Sequence, residues 1–227
     1  MPAGYIQHPT SRARMRTPII VGMDPGASKG YAIVDPEDMR VRKSWSAPGV
    51  IAMGTSLAEV VDLLPAGALR HRPIWVACEF QYSQRVTTGE ISADSIIKLA
   101  FRAGYMLRDA SALLDAAEMF APVPQRWKTE LYSVGASLAK ERFTAKLIRE
   151  LDRAEMTRLA IIEQKNDDDV DDVLDAIGIA WAVWHVAAFP HRWREWRCDP
   201  EHIIPISPKR GQRQRRFKAA TAKETEQ

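Results

Sequence analysis

Apolar positions recur along this chain with two periods. Ile19-Ile20-Val21 and Tyr31-Ala32-Ile33-Val34 are short apolar runs on either side of Gly22-Met23-Asp24-Pro25-Gly26-Ala27-Ser28-Lys29-Gly30. Runs of this length, rich in β-branched residues and bounded by Gly and Pro, predict two strands joined as a hairpin. Met39 to Trp45 alternates weakly and predicts a third strand, placed at a sheet edge by its charges. Pro73 to Glu79 (PIWVACE) is a second strongly apolar run, and Met119 to Val123 is a short strand closed by Pro122 and Pro124. Helical spacing governs the rest. Leu57, Val60, Val61 and Leu64 mark a helix over Ser56 to Leu64, with Ser56 or Thr55 available as N-cap. Ala93 to Ala117 reads as a long helix with Ile96, Ile97, Ala100, Ala103, Tyr105 and Leu107 mostly on one side. Shorter helices are predicted over Gln125 to Leu131 and Leu138 to Leu151. A last long helix, Asp168 to Ala188, opens in acid and turns apolar. Three sequential antiparallel strands followed by alternating helices and strands imply a mixed five-stranded α/β sheet covered by helices, with right-handed crossovers.

Composition changes this picture mainly at the ends. The 227 residues, 46% hydrophobic and 27% charged, suit one globular domain with tails. Residues 1–17 carry Arg12, Arg14 and Arg16 and no acid. From Ser207 onward Lys209, Arg210, Arg213, Arg215, Arg216, Lys218 and Lys223 face only Glu224 and Glu226. Since the whole chain is only +3, the body between these ends is acidic. Basic ends on an acidic body suit a polyanionic partner, most simply nucleic acid, and equally suit solubilising tails. Cys78 and Cys198 lack metal-ligand spacing and are expected to be reduced thiols in a cytoplasmic protein. No apolar run reaches the roughly 18 residues of a membrane span, and no secretory signal is visible.

The chemistry lies in acids placed where acids are costly. Asp24 ends an apolar strand, and carboxylates are rarely buried unless paired or bound to metal. By itself this Asp-Pro-Gly turn fits a nucleotide site of a sugar kinase or actin-like ATPase, or a plain hairpin turn. Glu79 ends the fourth strand in the same way. On the last helix, Asp167 to Asp169 are explained by the helix dipole. Asp175 lies beyond the first turn, where Ile177, Ile179 and Ala180 show the helix entering the core. Asp172 shares its face, three residues away, and the two repel unless a cation sits between them. If the first and fourth strands are neighbours, Asp24 and Glu79 come together. Hard oxygen ligands of this kind suit Mg²⁺ or Mn²⁺. Two such ions about 4 Å apart would serve phosphodiester hydrolysis by metal-activated water, and no side chain looks like a covalent nucleophile.

These four acids, in this order and on these elements, resemble the ribonuclease H-like nucleases, and within them the RuvC-type Holliday junction resolvases. The first motif stands as Asp24-Pro25-Gly26 with Gly30-Tyr31, and the second as Ala77-Cys78-Glu79. Ser92 to Leu99 with Arg102-Ala103-Gly104 is similar to the family's next helix, and Asp172-Val173-Leu174-Asp175-Ala176-Ile177-Gly178-Ile179-Ala180 to its closing motif. The likeness runs from about Ile19 to Val186. It implies an RNase H-like domain over 18–190, flanked by a basic arm (1–17) and an extension with a basic tail (191–227). Catalysis and metal binding would fall to Asp24, Glu79, Asp172 and Asp175, with Asp171 a stand-in for Asp172. The substrate would be a four-way junction or other branched DNA, cut by a homodimer with two active sites. Pro124, Lys128, Gly135 and Lys140 resemble the stretch where the family's basic side chains approach DNA. Phe80 and Tyr82 fall in the loop that meets the junction, although core packing suits Phe80 better. The tail residues Lys209, Arg210, Arg213, Arg215 and Arg216 then read as a phosphate-binding arm.

The chain also departs from the family pattern. Its turn after Asp24 is one residue shorter, about half a dozen residues are added between Glu79 and the next helix, and both basic ends are extra. Other nucleases of the superfamily and a catalytically silent branched-DNA binder are therefore the neighbouring alternatives. A kinase reading is weaker, because no second hairpin of this type occurs. Trp181, Trp184, His185 and Trp127 are expected to pack, and His185 and His191 lack the spacing of a metal pair.

Overall fold

The computed structural model describes residues 17–42, 45–64, 67–69, 72–80, 93–132, 140–165, 169–187 and 196–198. Five strands form one sheet: β1 (Ile19–Asp24), β2 (Gly30–Val41), β3 (Ser46–Gly54), β4 (Ile74–Cys78) and β5 (Glu118–Phe120). Their order is β3-β2-β1-β4-β5. The three leading strands are antiparallel, and β1–β4 and β4–β5 are parallel. This is the mixed five-stranded α/β sheet that the sequence predicts.

β1 is buried at every position and lies at the centre, which explains why it reads as an unbroken apolar run. The two-residue period of a strand sorts its side chains. Ile19, Val21 and Met23 face one core with Val76 and Cys78 of β4. That core is closed by α1 (Leu57–Asp62) and α2 (Ala93–Leu114) through Val60, Ala103, Met106, Leu107 and Ala110. Ile20 faces the other core, with Ala32, Val34, Ala77 and Phe120. Four helices build that layer: α3 (Pro124–Tyr132), α4 (Lys140–Glu150), α5 (Arg153–Glu163) and α6 (Asp169–Ala187). α6 runs across β1 and β2 at short range. Gly22 permits this, because a Cβ there would strike the Ala176 carbonyl oxygen and come within 2.9 Å of the Ala180 Cβ.

Four sequence expectations are corrected. The third strand is not Met39 to Trp45. β2 runs on to Val41 and the third strand is Ser46–Gly54, in which Pro48 and Gly49 resemble turn residues. Pro48 pairs with Met39 next to a register shift after Asp35, the kind of irregular site that tolerates proline. α5 has no counterpart among the predicted helices. Its buried positions are Glu155, Leu159 and Ile162, and a buried glutamate breaks the apolar stripe. On α2 the core side consists of Ile96, Ala103, Met106, Leu107, Ala110 and Leu114, while Ile97 and Tyr105 are 53% and 63% exposed. Ser56 occupies the N-cap position of α1 but makes no side-chain cap.

Residues 196–198 return to the sheet beyond β5. The Ala121 N–H donates to the Trp196 carbonyl and the Cys198 N–H to the Met119 carbonyl, both at 2.8 Å. Trp196 and Cys198 are buried there, and Arg197 pairs with Glu118. Cys78 and Cys198 are both buried and form no disulfide, and burial pushes the Cys78 thiol well above its usual range. Among the described residues, no helix is long and apolar enough to cross a membrane.

Candidate active site

Strand register brings the first two acids together. Met23 of β1 pairs with Cys78 of β4, and the Glu79 N–H donates to the Met23 carbonyl at 3.1 Å. The next residues along are Asp24 and Glu79. By strand alternation both project to the face that α6 covers, together with Ile20 and Ala77. On α6 the row Asp172, Ala176, Ala180 lies along the sheet, so Asp172 continues the line that packs on Gly22. Asp175, one turn further on, is buried next to it. Asp24, Glu79 and Asp175 are 8%, 6% and 8% exposed, so three carboxyl groups are withdrawn from water at one end of the sheet.

Their charges are mutually felt. Burial first, then Glu79, Asp175 and Asp172 in turn, hold the Asp24 carboxyl well above its usual range, and the Lys128 ammonium acts in the opposite sense. Each of the other three acids has a protein donor. The buried Trp127 indole N–H donates to Glu79 Oε2 at 2.8 Å. Lys128 Nζ donates to Asp175 Oδ2 at 3.2 Å, and the Ser28 N–H to Asp172 Oδ2 at 2.9 Å. The turn after Asp24 is held from a third direction, where Arg102 of α2 donates to the Pro25 and Gly26 carbonyls.

The donor set, four carboxylates with little competing nitrogen or sulfur, suits a hard cation such as Mg²⁺ or Mn²⁺. Repulsion within it is strain that a bound cation would relieve. Among the described residues, no three His, Cys, Asp or Glu side chains stand close enough, as placed, to hold an ion.

The structure therefore collects Asp24, Glu79, Asp172 and Asp175 at one place. Asp172 is the member of the acidic run whose charge reaches Asp24. Lys128 lies within the site, on Asp175, with its side chain 26% exposed. Phe80 is half-buried, donates its N–H to the Pro122 carbonyl at 2.9 Å, and lines an apolar groove of about 520 Å³ with Ile97, Phe101, Tyr105 and Arg108. Lys140 is the first residue of α4, and its side chain lies outside the described residues, as do Tyr82, Lys209, Arg210, Arg213, Arg215 and Arg216. Trp181 packs in the core, and His185 pairs with Glu130 at 2.6 Å. Sequence reasoning missed the roles of Trp127, Ser28 and Arg102. The sequence signals were indirect: Ser28 lies in the turn after Asp24, Arg102 in the stretch that resembles the family's next helix, and Trp127 directly before Lys128.

No family model matches the chain, and neither does any curated protein. Among solved structures, T. thermophilus RuvC in complex with Holliday junction substrate is similar at 20% identity. The match covers 74% of this chain and 94% of that one, with a TM-score of 0.38. The functional reading accordingly rests on the carboxylate geometry.

Proposed function

We propose that this protein is a divalent-metal-dependent endonuclease that cuts Holliday junctions or other branched DNA by two-metal phosphodiester hydrolysis. The observation that carries the reading is the meeting of Asp24, Glu79, Asp172 and Asp175, three of them buried, at the ends of β1 and β4 beneath the start of α6. Mg²⁺ or Mn²⁺ bound by these four would activate a water and stabilise the leaving oxygen. The protein's own part is placement. β1 and β4 hold two carboxylates in register, α6 supplies the other two from one face, and the Ser28 N–H donates to Asp172. Lys128 offsets the negative charge at Asp175 and would contact a substrate phosphate. Lys140 and the tail residues Lys209, Arg210, Arg213, Arg215 and Arg216 would contact phosphates, and Phe80 and Tyr82 would meet the branch point. Symmetric nicking of a two-fold junction calls for two active sites, hence a homodimer; sedimentation as monomer with junction DNA bound would contradict that part.

The test is cleavage of a labelled four-way junction beside a matched linear duplex in Mg²⁺, with wild type and Asp24→Asn. Paired nicks in the junction alone, lost in Asp24→Asn, are expected. Equal cutting of flaps, forks and junctions would widen the substrate class. Tight junction binding with no metal-dependent cleavage would replace this reading with that of a silent binder.

A further inference from the structure

We infer that Trp127 is a positioning residue for the metal centre, acting through its indole N–H on Glu79. The inference rests on the proposed nuclease reading and adds to it a residue outside the acidic set. Trp127 is fully buried, and its Nε1–H donates to Glu79 Oε2 at 2.8 Å. Its ring is located by contacts that have nothing to do with the carboxylate. Phe143 of α4 meets it edge-on, with centroids 5.1 Å apart. On the far side it lies against α6 at Gly178, where a Cβ would come within 2.5 Å of Cζ3. Contact with Phe143 and the close approach to Gly178 restrict the indole, so the direction of its N–H is set by packing.

That direction matters because Glu79 lies just beyond the end of β4 and has the longest side chain of the four acids. Its carboxylate has torsional freedom that Asp24 lacks. The oxygen that accepts from Trp127 fixes the plane and direction of the group. Residues that orient metal ligands in this way typically contribute ten- to hundredfold to metal affinity or activity. A neutral donor also serves better here than a cation would. It satisfies a buried oxygen without cancelling the charge that holds a metal. The adjacent Lys128, on the same turn of α3, reaches Asp175 instead. One turn of helix thereby addresses two of the four carboxylates from outside the sheet, and the absence of a side chain at Gly178 leaves room for the ring.

The experiment measures Mn²⁺ binding to the full-length protein without DNA, by calorimetry and by the spin-resonance signal of free Mn²⁺. It compares wild type, Asp24→Asn, Trp127→Phe, Phe143→Leu, and Trp127 replaced site-specifically by benzothienylalanine. The last keeps the shape of the ring and removes the donor, so it remains informative if Trp127→Phe folds poorly. Trp127→Phe and the benzothienyl protein should bind Mn²⁺ about ten- to hundredfold more weakly, on the scale of such orienting partners. Their junction affinity in EDTA should stay at the wild-type value, and cleavage should fall in kcat with little change in KM. Phe143→Leu disturbs the same packing but keeps the N–H, and should lower the melting temperature while losing much less Mn²⁺ affinity than Trp127→Phe. Wild-type Mn²⁺ affinity in the benzothienyl protein would overturn the inference, as would a loss in Phe143→Leu equal to that in Trp127→Phe. If wild type itself binds no Mn²⁺ that Asp24→Asn abolishes, the nuclease reading falls first and the role of Trp127 falls with it.

Discussion

Replacing Glu155 by alanine removes the acceptor at the centre of a buried polar cluster that ties α5 to the outer strands of the sheet. The Glu155 side chain is fully buried, and its Oε1 and Oε2 accept from Arg42 at 2.8 and 2.9 Å. Oε1 also accepts from the Val50 N–H at 3.1 Å, and Oε2 from the Asp152 N–H at 2.9 Å, completing a capping box at the start of α5. Removing one partner of a buried ion pair costs about 3–5 kcal/mol, because the remaining charge is stranded. The Val50 N–H, left without its acceptor, adds about 1–3 kcal/mol. Arg42 is not wholly abandoned: it still reaches the Glu150 and Pro48 carbonyls and lies 4.2 Å from the Trp181 ring centroid. The terms overlap, and about 4 kcal/mol in total is the expected loss, a large share of the roughly 5–15 kcal/mol that holds a typical domain. Urea unfolding followed by circular dichroism measures it as a fall in midpoint at constant slope. Arg42→Met combined with Glu155→Leu removes both charges together and should lose much less than the sum of the single changes, by a coupling of about 2 kcal/mol or more. A loss below about 1 kcal/mol for Glu155→Ala, or simple additivity in the double variant, would refute the claim that the pair is buried and mutually dependent.

Two further outcomes follow from the site and the tail. In EDTA, Asp24→Asn should stabilise the protein, because it removes a carboxylate that burial and three neighbours hold against ionisation. The folded pKa lies above the unfolded one, so wild-type stability falls as pH rises from about 4 through the folded pKa, and the asparagine variant escapes that fall. Urea midpoints for the two proteins should coincide near pH 4 and separate as pH rises; a gap that is constant or reversed contradicts the assignment. Deleting 207–227 removes seven Lys/Arg and two Glu. If the tail binds phosphate, junction affinity should fall and the slope of log K against log salt should flatten by several units at most, at about 0.9 for each phosphate that is no longer neutralised. An unchanged slope in fluorescence anisotropy titrations would make the tail a bystander.

Local pattern carried this chain a long way. The apolar run before Asp24, its glycine-bounded turn and the second run ending at Glu79 defined β1, β2 and β4, because strand alternation and turn chemistry are properties of a few adjacent residues. The acids themselves were legible for the same reason: a carboxylate at the end of an apolar run is anomalous whatever surrounds it. What tertiary structure alone decided were the meetings of distant residues. Whether Pro48 and Gly49 break a strand or sit in one depends on the register between β2 and β3. α5 hides from periodicity because Glu155 is buried, and it is buried only because Arg42, 113 residues earlier, is there to meet it. Ile97 and Tyr105 look like core on α2 until the sheet selects the stripe through Ala103, Met106 and Leu107. Trp127 reads as packing until β4 and α3 bring its N–H to Glu79, 48 residues away in sequence. Hydrogen bonds and ion pairs have short range and strict direction, so which groups find each other is set by how the layers pack, and the linear order of residues does not contain it.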